Sequence, residues 1–194
     1  MTPLVDVSSH AIDTAIALID IDVTVLDFGR CHGEHVPYLK AFAEALAQSP
    51  YLTHLYFSEN EIGDAGFLKL GRAIGTLSKL RVLDLSYNDF GSAGLEALCP
   101  HLARLPLKKL DLSINAIDGT GLITLGKALR TSKTLKCLYL YGTAVTFNDC
   151  LRLLQDLSNV HTLMELIVDE TRVTRAEIKL LNKRRPQICF SYWN

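Results

Sequence analysis

The sequence predicts an α/β solenoid in which short parallel strands line a concave face and helices cover the convex face. Three observations carry that expectation. Leucine supplies 34 of the 194 residues, more than ordinary core building uses. The pattern L-x-x-L-x-L-x-x-N-x-I recurs along most of the chain, and each copy is followed by apolar residues at helical spacing.

Three copies of the pattern are close to complete: Leu52, Leu55, Phe57, Asn60, Ile62; Leu80, Leu83, Leu85, Asn88, Phe90; and Leu107, Leu110, Leu112, Asn115, Ile117. Two later copies, Leu135 to Val145 and Leu163 to Val173, put Thr143 and Thr171 in the Asn slot, and the first, Val23 to Cys31, puts Cys31 there. Starts at 23, 52, 80, 107, 135 and 163 define six units over residues 23–186. In each, a strand of about three residues turns its leucines inward, and a helix, shown by Leu95, Leu98 and Leu102 or by Leu122, Leu125 and Leu129, returns on the outside. A strand, helix, parallel-strand crossover is right-handed. Neither element buries its apolar face until the next unit stacks on it. The column Cys31, Asn60, Asn88, Asn115, Thr143, Thr171 reads as a structural ladder that satisfies loop carbonyls and N–H groups. Gly66, Gly94 and Gly121 recur in phase after it and read as turn glycines, not as a phosphate cradle.

This unit of 27 to 29 residues, with its N-terminal L-x-x-L-x-L-x-x-N/C-x-L and full helix, resembles the ribonuclease-inhibitor type of leucine-rich repeat. The resemblance implies a leucine-rich-repeat solenoid, a horseshoe segment that binds proteins, and leaves the partner open. The ends read as caps. Residues 1–22 form an N-terminal helical cap with Ile12, Ala15, Ile16 and Ile19 on one stripe, and residues 187–194 form a capping strand in which Ile188, Phe190 and Tyr192 alternate with Cys189, Ser191 and Trp193. On this reading the chain is a complete small protein.

In such an array, recognition falls to outward strand positions that the repeat does not constrain. The fifth position reads Asp27, Tyr56, Asp84, Asp111, Tyr139, Ile167 and the seventh Gly29, Ser58, Ser86, Ser113, Tyr141, Asp169. The third reads Val25, His54, Val82, Lys109, Cys137, Glu165, and the second Thr24, Thr53, Arg81, Lys108, Lys136, Met164. Tyr56, Tyr87, Tyr139 and Tyr141 offer rigid amphipathic area, and Arg81, Lys108, Lys109 and Lys136 stand beside Asp84 and Asp111. Aromatic and charged residues in that mixture are typical of interface hot spots, so these ten are the candidate partner-binding residues. A solvated sheet with self-neutralising charges is the bland alternative. Six strands span about 25 to 30 Å, which suits a compact patch, a helix or a loop of the partner.

A formal net charge of -1 gives no field of one sign for nucleic acid, and the C-terminal basic cluster of Arg172, Arg175, Lys179, Lys183, Arg184 and Arg185 has no interleaved aromatic. No apolar run approaches the roughly 18 residues of a membrane helix, and the first basic residue is Arg30, so neither a membrane span nor a signal peptide is expected. Five scattered cysteines without a CxxC pair read as reduced thiols of a cytosol-like compartment. The run Cys31-His32-Gly33-Glu34-His35 could suggest a metal site or a Cys/His pair, but Cys31 falls in the ladder slot and no second ligand cluster lies at finger spacing. The expectation is a monomeric, non-catalytic interaction module without metal or cofactor. It is similar to the short leucine-rich-repeat effectors that bacterial pathogens deliver into host-cell cytosol; the alternative is a small-GTPase regulator resembling Ran GTPase-activating proteins, whose acidic tail is missing here.

Overall fold

The computed structural model describes residues 4–6, 23–30, 39–168 and 171–190, with only the backbone of 4–6. The N-terminal stripe of residues 8–20, Cys31 with the histidines beside it, Asp169, and residues 191–194 lie outside the described residues.

Among the described residues seven parallel strands form one sheet in chain order: β1 (Leu4–Asp6), β2 (Val25–Asp27), β3 (His54–Tyr56), β4 (Val82–Asp84), β5 (Lys109–Asp111), β6 (Cys137–Tyr139) and β7 (Glu165–Ile167). Six α-helices among the described residues pack outside them: α1 (Leu39–Ala47), α2 (Gly63–Ile74), α3 (Ser92–Leu102), α4 (Gly119–Leu129), α5 (Phe147–Asp156) and α6 (Arg175–Arg184). A three-residue strand exposes too little apolar area to stand alone, so neighbours hold each strand through a fixed register. Leu26, Leu55, Leu83, Leu110, Leu138 and Leu166 stack as one column, each buried. The helix leucines close the core from the other side, with Leu95, Leu98, Leu122 and Leu125 fully buried. Phenylalanines fill the first interval, where Phe42 lies 4.4 Å from Phe28 and 4.9 Å from Phe57, ring centre to ring centre.

The structure adds a strand to the sequence reading. Leu4–Asp6 pairs in parallel with β2, Val5 opposite Leu26. The helical cap expected over residues 1–22 rests on the stripe at 8–20, the stronger periodic signal, which lies outside the described residues. The physical demand is at the edge of β2, whose N–H and C=O groups a three-residue strand can pair. At the other end, Cys189 makes a single parallel bridge to Glu165, with the Leu166 N–H donating to the Cys189 carbonyl at 3.0 Å, and Ile188 and Phe190 are buried.

The recurring glycines have a different cause from the one expected. Gly94 and Gly121 lie in the first turns of α3 and α4, and no positive φ calls for them. What excludes a side chain is close approach: a Cβ on Gly94 would come within 2.6 Å of Asp64 Oδ1, and one on Gly121 within 2.6 Å of Ser92 Oγ. Those same atoms accept N–H groups at the helix starts, Asp64 Oδ1 from Gly91 and Gly94 at 2.8 Å and Ser92 Oγ from Gly121 at 3.0 Å. The starts of α3 and α4 therefore receive a cap from the preceding repeat, and glycine lets that cap approach.

Candidate functional site: the concave face

The register turns the sequence columns into rows on one surface. His54, Val82, Lys109, Cys137 and Glu165 stand opposite one another on successive strands, as do Tyr56, Asp84, Asp111, Tyr139 and Ile167. Because the strands are parallel and about 4.8 Å apart, each row repeats at that interval. One residue earlier, at the strand entries, Arg81, Lys108 and Lys136 are exposed, and their backbones are tied in series: Lys108 N–H donates to Arg81 O at 2.7 Å and Lys136 N–H to Lys108 O at 2.8 Å. A basic margin results along that edge.

The carboxylates sit one step deeper. Asp84 Oδ1 accepts from the Ser86 N–H at 3.0 Å and the Ser86 hydroxyl at 2.7 Å, and Asp111 Oδ1 accepts from the Ser113 N–H at 3.1 Å. These short loops hold both acids facing the concavity, next to each other in the register. Burial pushes the Asp111 carboxyl above its ordinary value, against the Ser113 hydroxyl that lowers it; the Asp84 charge pushes in the same direction as burial.

Tyr139 is fixed from two sides. Its hydroxyl donates to Glu165 Oε2 at 2.6 Å, and the Lys109 ammonium lies 4.5 Å from the ring centre. Burial and then Glu165 drive that hydroxyl's pKa upward, so it stays a donor. Tyr87, half exposed, sits at φ 55°, in the left-handed region, which turns its side chain out of the loop after β4. Together Tyr87, Tyr139 and Tyr141 wall a pocket of about 280 Å³ whose remaining lining is Ser86, Asp111, Ser113 and Ile167. A second concavity of about 310 Å³ shares Tyr87 and is rimmed by Glu59, Glu61, Asp89 and Ile114.

Of the ten candidates, the structure brings four into one pocket: Tyr87, Asp111, Tyr139 and Tyr141. Asp84 is beside it in the register, and Lys109 overlies Tyr139. Tyr56 stands apart, its ring 6.4 Å from that of His54, and Arg81, Lys108 and Lys136 keep to the strand-entry margin. Sequence reasoning did not select Ile167, which is buried, or the acidic rim. The rim had a local signal: Glu59, Glu61 and Asp89 flank the ladder asparagines, and all three adopt positive φ.

Other chemistry-bearing groups lie elsewhere. Cys99 and Cys150 are buried, and burial, ahead of nearby carboxylates, pushes both thiols up to about 12, far from a reactive thiolate. Among the described residues no group of three or more His, Cys, Asp or Glu could hold a metal ion, and no helix is long and apolar enough to cross a membrane.

Comparison with known proteins agrees with this architecture. A family model described as "Leucine Rich repeat" matches residues 48–71, 76–99 and 106–126. The human NACHT, LRR and PYD domains-containing protein 13 is 31% identical over 151 residues, 76% of this chain and 14% of its own length. Ribonuclease inhibitor of Sus scrofa is 31% identical over 127 residues, 64% of this chain and 28% of the inhibitor. The chain thus spans less than a third of the curated relatives it matches. Among solved structures, an internalin of Listeria monocytogenes aligns with TM-score 0.53 at 17% identity, covering 90% of this chain and 49% of that one. The leiomodin-1 actin-binding site 2 aligns with TM-score 0.51 at 14% identity over 92% and 94%. Such identities show the fold alone. With the repeat, the parallel sheet and these relatives together, the chain belongs to the leucine-rich-repeat proteins of the ribonuclease-inhibitor type.

Proposed function

We propose that this chain is a non-catalytic recognition module that holds a protein partner on its concave face. Proteins of this repeat family generally mediate protein-protein interaction, and the face is the finer reading. The observation that carries it is the tyrosine-walled pocket: rigid aromatic side chains around a concavity, beside charged residues, are what alanine scans find at interface centres. A folded chain with Tyr56→Ala and Tyr139→Ala captures no partner from cell lysate on this reading, while the wild type does. Capture undiminished by the double substitution overturns the concave-face assignment and moves the search to the helices.

Delivery into a host-cell cytosol is the finer proposal on origin, and its support is the likeness to short effectors of the same repeat type. A translocation reporter fused to the chain that never leaves the bacterium overturns it. The small-GTPase alternative has no motif whose residues carry over to this chain, so it is not adopted.

A further inference from the structure

We propose that the pocket walled by Tyr87, Tyr139 and Tyr141 takes a cationic side chain, preferentially an arginine, presented by a basic segment of the partner protein. This rests on the concave face being the recognition surface and specifies what that surface selects.

The walls and the floor agree on the sign of the guest. Tyrosine faces carry the negative end of the ring quadrupole and attract cations. The Lys109 ammonium already does this at Tyr139, 4.5 Å from its centre, although Lys109 itself does not line the pocket. The floor supplies Asp111, with Asp84 adjacent on the next strand. Among the described residues neither carboxylate is in an ion pair. Their hydrogen-bond partners are neutral serine groups on Oδ1, and the Lys109 charge only partly offsets burial and the Asp84 charge at Asp111, so two close like charges face the concavity incompletely compensated. Burial has raised the Asp111 carboxyl, which means its charged form is under-compensated here and a guest cation would relieve it.

The surroundings set the guest's direction. The adjoining concavity continues past Tyr87 to the Glu61 and Asp89 carboxylates, while Glu59 is partly neutralised by Arg30 at 3.2 Å. On the opposite margin Arg81, Lys108 and Lys136 repel positive charge. A basic segment therefore lies along the loop side of the sheet, with one side chain turned into the tyrosine pocket. Arginine suits it better than lysine because a planar guanidinium stacks on rings and can bond carboxylates in bidentate fashion.

The test is fluorescence anisotropy of the full chain with three labelled peptides of equal length, rich in arginine, lysine or glutamate. Arginine peptide is expected to bind tightest, lysine peptide more weakly and glutamate peptide not at all. Asp84→Asn with Asp111→Asn weakens arginine-peptide binding about tenfold, between the effect of a solvated charge contact and that of a fully desolvated one. Lys109→Gln strengthens it about twofold by removing a like charge. Glu44→Gln with Glu96→Gln on the convex helices leaves it unchanged, which separates the pocket from general attraction. Circular dichroism melts confirm that each variant is folded. Glutamate peptide preferred, arginine peptide unbound, or arginine peptide bound equally by the Asp84→Asn/Asp111→Asn chain overturns the proposal. If that variant still captures the partner that the Tyr56→Ala/Tyr139→Ala chain loses, the concave face stands and the cation pocket falls.

Discussion

The asparagine repeats and the threonine repeats occupy the same solenoid but are held together differently. The Asn60 amide N–H donates to Phe28 O at 2.8 Å, Asn88 to Phe57 O at 2.7 Å and Asn115 to Leu85 O at 2.9 Å, each a carbonyl of the preceding repeat. Each also donates to two carbonyls of its own loop. Thr143 and Thr171 donate only to Leu140 and Val168, inside their own loops. An amide reaches across to the neighbouring unit where a hydroxyl cannot.

The loop backbones follow from that difference. The residue before the ladder slot takes positive φ at Arg30, Glu59, Tyr87 and Ile114, and each of these loops has at least one asparagine amide on its carbonyls. The corresponding residue before Thr143 is Gly142, at φ 61°, with no such amide beside it. Left-handed backbone costs an ordinary residue about 1 to 2 kcal/mol, which extra hydrogen bonds can offset and glycine avoids. The lesson reaches the site, because Tyr87 can wall the pocket from a left-handed position that Asn88 and Asn115 hold on either side.

Loss of an inter-repeat amide is the largest effect this comparison predicts. Asn115→Ala removes donors to Leu85, Leu112 and Ser113 and an acceptor for Asn88 N–H, and costs about 3 kcal/mol. Thr143→Ala removes one donor and costs about 1 kcal/mol. Urea melts giving equal losses would erase the distinction. Gly142→Ala is next, at about 2 kcal/mol, since it strains the backbone and puts a Cβ 2.4 Å from Ile114 Cδ1; a melting temperature equal to wild type would refute the account of that loop.

The smallest effect concerns the floor of the pocket. Asp111 has a folded pKa above its unfolded value, so ionisation is disfavoured in the folded chain and folding loses stability as pH rises through the folded value. Asp111→Asn keeps an acceptor for Ser113 N–H and removes the charge. It should stabilise the chain at pH 7 by about 0.5 kcal/mol, with the advantage fading once pH falls below the unfolded carboxylate range. A variant less stable than wild type at pH 7 and equal to it at low pH would reverse the sign and show that the carboxylate is well compensated.

Much of this was legible in the chain because a repeat announces its own geometry. The spacing of Leu55, Leu83 and Leu110 fixes which residues share a row, and the registers match those rows residue for residue. Asn60, Asn88 and Asn115 were legible as loop satisfiers because only a buried amide explains a polar column between apolar ones. The strand at Leu4–Asp6 was not, since three residues carry no period and the need for them lies in the edge of β2. Nor was the reason for Gly94 and Gly121, which depends on Asp64 and Ser92 arriving from the neighbouring repeat.

Leucine periodicity therefore settled the fold and the inward and outward faces, because a period of 28 leaves one way to bury those leucines. Which of the outward residues meet was decided across repeats. Tyr87, Asp111, Tyr139 and Tyr141 come from three different units, and their convergence depends on stacking, on left-handed loops held by distant amides and on the Tyr139 to Glu165 hydrogen bond. Such contacts are made between units, so no local stretch of chain encodes them.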